Sequence, residues 1–144
     1  MAASSFYLQN EIIKGVFRTG SLTKPTGLSV SLCSNVPSSS DVGNFVIGHE
    51  LANANGYTRM AQLAADANWL GPTNNDGRVF NTGTITFPVC TTADWGWISG
   101  AALVDTGTYG TGNMIVYGAL TTPKYIGVGD QFKFNTADLA FTIN

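Results

Sequence analysis

Charge is what this chain has least of. Asp, Glu, Lys and Arg make up 11% of its 144 residues, less than half of the roughly 25% usual in soluble domains. The seven Lys and Arg are scattered and the formal net charge is −2, so the clustered basic surface that phosphate recognition needs is missing, and no nucleic-acid partner is expected. Histidine occurs once, at His49, and cysteine twice, at Cys33 and Cys90. These three residues lack the pairwise spacing of a zinc site and cannot complete a ligand set. No metal and no cofactor is expected. Both cysteines fall in or beside expected strands, and two buried free thiols are a simpler reading than a disulfide. No run approaches the ~20 apolar residues of a membrane span, which excludes a membrane partner of that kind. Residues Met1 to Asn10 also lack the basic and apolar regions of a secretory signal.

Asn, Thr, Ser and Gly carry the polarity instead, a composition that suits turns and strands. From Thr84 to Asn144 apolar residues alternate with polar or small ones, at Ile85/Phe87, Phe132/Phe134 and Leu139/Phe141/Ile143. A period of two lines one face of a sheet. Strands are expected at Leu28–Cys33 (half-buried), Tyr57–Ala64, Arg78–Asn81, Gly83–Pro88, Trp95–Val104, Met114–Leu120, Tyr125–Val128, Gln131–Phe134 and Ala137–Ile143. Phe45-Val46-Ile47 is a further edge-strand candidate, and a short helix is the alternative over Tyr57–Ala64. With no α/β alternation, repeat or long linker, residues 1–144 read as one mainly β domain, a two-sheet β-sandwich or jelly roll. So little surface charge is tolerable where much of the surface packs against neighbours.

One helix is expected, at residues 4–18, ahead of the strands at 28–143. Leu8, Ile12 and Val16 recur every fourth residue, with Ile13 and Phe17 widening the stripe. Ser4 or Ser5 suits the N-cap and Gly20 the C-terminus. Its apolar face is expected to bury against its own β core, the alternative being an arm that docks on a neighbouring subunit.

Catalytic candidates are thin. His49 adjoins Glu50, but neighbouring side chains in an extended chain point apart, and a general base needs a partner in a pocket. Asp66, Asp76, Asp94, Asp105, Asp130 and Asp138 mostly flank turns, where Asp bonds nearby backbone without catalysis. Gly107-Thr-Tyr-Gly-Thr-Gly112 lacks the Lys and following helix of a phosphate loop and reads as a hairpin loop. Asn74-Asn-Asp-Gly77 lacks the acidic spacing of a calcium loop. Trp95 and Trp97 share one face if the strand is regular, so both are in or both are out. Burial is the favoured reading, and exposure would make a sugar-stacking or interface pair.

The order of several segments resembles a known family. Phe6 to Arg18, Pro25 to Leu32, Asn55-Gly-Tyr-Thr-Arg59, Ile85-Thr-Phe-Pro88, Trp95-Gly96 and Asp105 are followed by Tyr117-Gly-Ala-Leu-Thr-Thr-Pro-Lys124 and Gly129-Asp-Gln-Phe132. Together they resemble small tailed-bacteriophage virion proteins of the head-decoration (cement) or tail-fibre-like β-sandwich kind. The resemblance spans nearly the whole chain and is most specific at Tyr117–Lys124. The chain departs from it at Trp97, where a smaller residue is expected, and at Cys33 and Cys90. It implies a structural protein of the virion, made in the host cytoplasm, assembled as a homotrimer and doing no chemistry. The first expectation is a cement protein on the capsid exterior, binding the lattice of major capsid protein and stabilising it by linkage. Phe6, Tyr7, Ile13 and Phe17 would carry that contact. The alternative is a tail-fibre or adaptor module that contacts tail proteins or a host surface glycan, with Trp95, Trp97 or Tyr109 stacking on sugar. A glycan-cleaving enzyme would need a paired carboxylate site, and none is discernible.

Overall fold

Alternating apolar residues make strands here, and the computed structural model, which describes residues 2–44, 48–73 and 75–143, is mainly β with one short helix near its N-terminus. The elements are β1 (Ala2–Ser4), α1 (Phe6–Phe17), β2 (Ser29–Cys33), β3 (Met60–Ala61), β4 (Trp69–Leu70), β5 (Arg78–Asn81), β6 (Ile85–Thr86), β7 (Gly96–Val104), β8 (Met114–Ile126), β9 (Lys133–Phe134) and β10 (Ala140–Thr142). Five of them form an antiparallel sheet in the order β1-β8-β7-β2-β3, while β10-β5-β4 and β6-β9 form two smaller sheets. Val30, Leu32, Ile98 and Leu103 of the large sheet join Ile85, Phe87, Phe132, Phe134 and Phe141 in one buried cluster. The small sheets therefore close one face of the large one. Asn81, wholly buried, pins that layer: its amide donates to the carbonyls of Gly83 (2.7 Å) and Asn135 (2.9 Å) and accepts from the Leu139 N–H (2.9 Å).

Several boundaries differ from the sequence-based expectation, each for a tertiary reason. β2 is buried on both faces instead of one. Its second face, Ser29, Ser31 and Cys33, lies beside Ala102, Val104 and Met114, and the Ser-rich segment after β2 packs back there, so that a Cβ on Gly100 would sit 3.3 Å from Val36. The expected strand over Tyr57–Ala64 shrinks to β3, and a turn closed by Asn68 N–H to Ala65 O (2.9 Å) follows it in place of a helix. Met114–Leu120 and Tyr125–Val128 merge into the single strand β8. Ile98 pairs with Lys124 and Gly100 with Ala119, so Leu120 to Pro123 bulge out opposite Ser99. A bulge is where a strand tolerates proline, and the Tyr117–Lys124 octet is the sequence of that bulge. The Phe45-Val46-Ile47 candidate lies outside the described residues, as does Asn74 of the Asn74–Gly77 loop.

Ser5 caps α1: its Oγ accepts from the Leu8 N–H at 3.2 Å and donates to the Met114 carbonyl. The helix stops at Phe17 because Arg18 turns extended, not through a left-handed Gly20. The expectation that its apolar face buries at home fails. No residue of α1 is buried, and although Leu8 packs against the core, Phe6, Ile13, Val16 and Phe17 are exposed. Ser4 and Ser5 tie the first turn to β8 and leave the second half pointing outward.

Candidate functional site

A buried ion pair organises the loops at one end of the large sheet. The side chains of Arg59 and Glu50 are fully buried, and they meet through two bonds of 2.8 Å, Nε to Oε1 and Nη2 to Oε2. Two parallel charge-assisted bonds are the strong geometry for this pair. The Tyr57 hydroxyl donates to Glu50 Oε1 at 2.9 Å and accepts from the Leu32 N–H at 3.0 Å. The remaining guanidinium hydrogens bond the carbonyls of Gly43 (2.7 Å), Thr106 (3.2 Å), Thr108 (3.0 Å) and Thr111 (3.1 Å). Burial, and then the Glu50 charge, push the Tyr57 phenol well above its ordinary value, so it stays a donor. Every donor and acceptor here is occupied within the protein. The Asn55–Arg59 segment is thus a clamp on the β7–β8 loop, Gly107–Gly112, and not a place where a ligand enters.

The aromatic pair behaves differently. Gly96 sits at φ +84°, in the left-handed region open to glycine, and breaks the alternation that would put Trp95 and Trp97 on one face. Trp95 turns inward. Its indole N–H donates to the Asn55 carbonyl at 2.9 Å, and its ring meets Tyr57 edge-on at 5.7 Å. Trp97 turns outward and is 61% exposed, which corrects the expectation that the two share one fate.

Across the ladder Trp97 is paired with Tyr125. Their ring centroids are 5.6 Å apart at 74°, and Tyr125 is 48% exposed. The Tyr125 hydroxyl donates to Asp94 Oδ2 at 2.7 Å, while Asp94 Oδ1 accepts from the Val128 N–H at 2.9 Å. These two donors hold the Asp94 carboxyl below its ordinary value, and the Asp94 bond raises the Tyr125 phenol. Asp130 lies close by: a Cβ on Gly127 would stand 3.3 Å from Asp94 Oδ1 and 3.5 Å from Asp130 Oδ2. Two exposed rings at a fixed angle, an exposed Val128 and two carboxylates make an amphipathic face. It offers C–H groups a surface to stack on and hydroxyls acceptors to bond. Tyr125 and Val128 were absent from the sequence-derived candidates, and Asp94 was read there only as a turn residue. The glycine between the tryptophans was the available signal, since glycine inside a strand marks an irregularity.

The other candidates scatter. Phe6, Ile13 and Phe17 are exposed on α1 and Tyr7 is half-buried at its root. Tyr109 lies against the core with its hydroxyl donating to the Leu51 carbonyl at 3.0 Å and the Arg59 guanidinium 6.0 Å from its ring, so it is no open platform. His49 points to Asp41, 3.6 Å away, and Glu50 points to Arg59. The turn carboxylates bond backbone: Asp76 accepts from Arg78, Asp130 from Gly127 and Asp138 from Asn135. Cys33 and Cys90 are buried and free. Among the described residues no three His, Cys, Asp or Glu side chains gather as a metal site. A depression of about 660 Å³ between β8 and β10 holds Arg78 and Asp138 among small and apolar side chains.

A family model described as podophage GP4 fiber I protein gp80 matches residues 3–142. No curated protein matches.

Proposed function

The chain belongs to the podophage GP4 fiber I protein gp80 family, a phage virion structural protein of the tail-fibre-like kind, and we propose that it is a tail-fibre subunit that recognises a host surface glycan. The family's description favours the tail over a cement role on the capsid exterior. The observation that carries glycan recognition is the exposed Trp97–Tyr125 pair flanked by Asp94. Sugar rings present apolar C–H faces to an indole and hydroxyls to a carboxylate, and Tyr and Trp give rigid contact area at low entropic cost. On this reading the protein binds without chemistry: Asp94 and Asp130 are held by the Tyr125 hydroxyl and by backbone N–H groups and keep lone pairs that accept from sugar hydroxyls. As a homotrimer, the assembly that the resemblance implies, it would add several weak sugar contacts through effective concentration.

Gold-labelled antibody on intact particles tests the location. Label confined to the tail supports this reading. Label spread over the head contradicts it and returns the protein to the capsid lattice, with the major capsid protein as partner.

A further inference from the structure

We infer, building on the glycan reading of the Trp97–Tyr125 face, that this face takes neutral or amino sugars and turns away sugars bearing a carboxylate, sulfate or phosphate. Two of the polar groups beside the rings are carboxylates. Asp94 and Asp130 are both exposed, and neither has an ion-pair partner among the described residues. One point, the position of a Cβ on Gly127, lies 3.3 Å from Asp94 Oδ1 and 3.5 Å from Asp130 Oδ2. The two oxygens are therefore within about 7 Å of each other, inside the roughly 8 Å over which physiological salt screens a charge. An anion that approaches either carboxylate meets the field of both.

The donors that would welcome an anion are engaged elsewhere. Backbone N–H groups of a turn can converge on an anion, but those of Gly127 to Asp130 all bond within the protein. Gly127 N–H donates to Asp130 Oδ2 (2.9 Å), Val128 N–H to Asp94 Oδ1 (2.9 Å), Gly129 N–H to the Cys90 carbonyl (2.8 Å) and Asp130 N–H to the Gly127 carbonyl (3.0 Å). The Tyr125 hydroxyl donates to Asp94 Oδ2. Lys124 adjoins Tyr125, yet strand alternation turns it to the other side. It pairs with buried Ile98 while Tyr125 pairs with Trp97, and its Nζ stands 5.6 Å from the centre of the Phe132 ring. Acceptor capacity is what remains. An ionised carboxylate offers about four lone-pair sites, of which Asp94 uses two and Asp130 one. Sugar hydroxyls and ammonium groups are donors that suit these sites, and acidic groups are not. The wider field has the same sign. Lys14, Arg18 and Lys24 place three of the seven cations near the N-terminus, and beyond Lys24 four cations face eight Asp and Glu. Like charge set against like charge suppresses the wrong partner, so the carboxylates select while the rings supply contact area common to all sugars.

An array of neutral, amino and acidic glycans, probed with the full chain beside Trp97→Ala and Asp130→Asn, tests this. The wild type is expected to bind neutral and amino glycans only, and Trp97→Ala to lose them. Asp130→Asn keeps the Gly127 bond through its remaining oxygen and presents amide donors in place of a free acceptor. Acidic glycans are expected to gain roughly tenfold or more in binding to this variant, with its Tm unchanged. Trp97-dependent binding of acidic glycans by the wild type, or discrimination that a folded Asp130→Asn leaves as it was, overturns the charge selection and leaves the glycan reading standing. A silent array, or binding that Trp97→Ala leaves intact, overturns the glycan reading of this face itself.

Discussion

Trp97 and Tyr125 face each other directly across the β7–β8 ladder, with ring centroids 5.6 Å apart. Their partnership depends on the Leu120–Pro123 bulge, which sets the register that brings them together. Trp97→Ala is expected to weaken glycan binding roughly thirtyfold, about 2 kcal/mol, as for the central aromatic of an interface. Stability should change by no more than about 0.5 kcal/mol, because the side chain is largely exposed. Calorimetric titration with host polysaccharide, alongside urea unfolding, separates the two effects.

The Tyr125–Asp94 bond sets a pH dependence. The Asp94 carboxyl is lowered from 3.8 by the Tyr125 hydroxyl first and the Val128 amide second. A lowered folded value means that the stabilisation is present above pH 3.8 and is lost as acid protonates the folded carboxyl. For Tyr125, raised from 10.0 by the same bond, the stabilisation is present below that value and is lost as alkali ionises the folded phenol. NMR titration of the Asp94 carboxyl should show its midpoint rising in Tyr125→Phe. An unmoved midpoint would mean that the hydroxyl does not hold the carboxylate.

Arg59 is expected to be the most sensitive polar position. Arg59→Met leaves Glu50 buried without its partner, and breaking one side of a buried pair costs about 3–5 kcal/mol. It also frees the carbonyls of Thr106, Thr108 and Thr111, so hydrogen exchange in residues 105–112 should rise beyond what the global loss predicts. Urea unfolding with exchange mass spectrometry measures both. Lysine cannot substitute, because it lacks the planar fork.

Cys33 and Cys90 should resist iodoacetamide in the native protein and react once it is unfolded. Burial, then the Glu50 charge, raises the Cys33 thiol well above its ordinary value, and the thiolate is the reactive form. Intact-mass spectrometry should find no alkylation before denaturant, two additions after it, and no change in mass on reduction alone.

The sequence made some of this legible and hid the rest. Period-two alternation located the core pairs Ile85/Phe87 and Phe132/Phe134, because one-sided burial writes itself into spacing. Ser5 announced its helix by chemistry that acts over three residues. Burial of both faces of β2 was not legible, since the Ser-rich segment that follows it folds back over the second face and no spacing records that return. Nor was the exposure of the α1 stripe, because an amphipathic pattern reports that a face seeks a partner and not whose surface supplies it. The Trp97–Tyr125 face depended on a positive φ at Gly96 and on a four-residue bulge. Each shifts register by an amount that only the paired strand reveals.

The most direct test of host recognition through that face is adsorption of the purified, fluorescently labelled protein to cells of the host bacterium, wild type beside Trp97→Ala. Saturable wild-type binding that excess host polysaccharide displaces and that falls at least tenfold in the variant is the predicted result. Equal binding by the two proteins, or no binding by either, would contradict it.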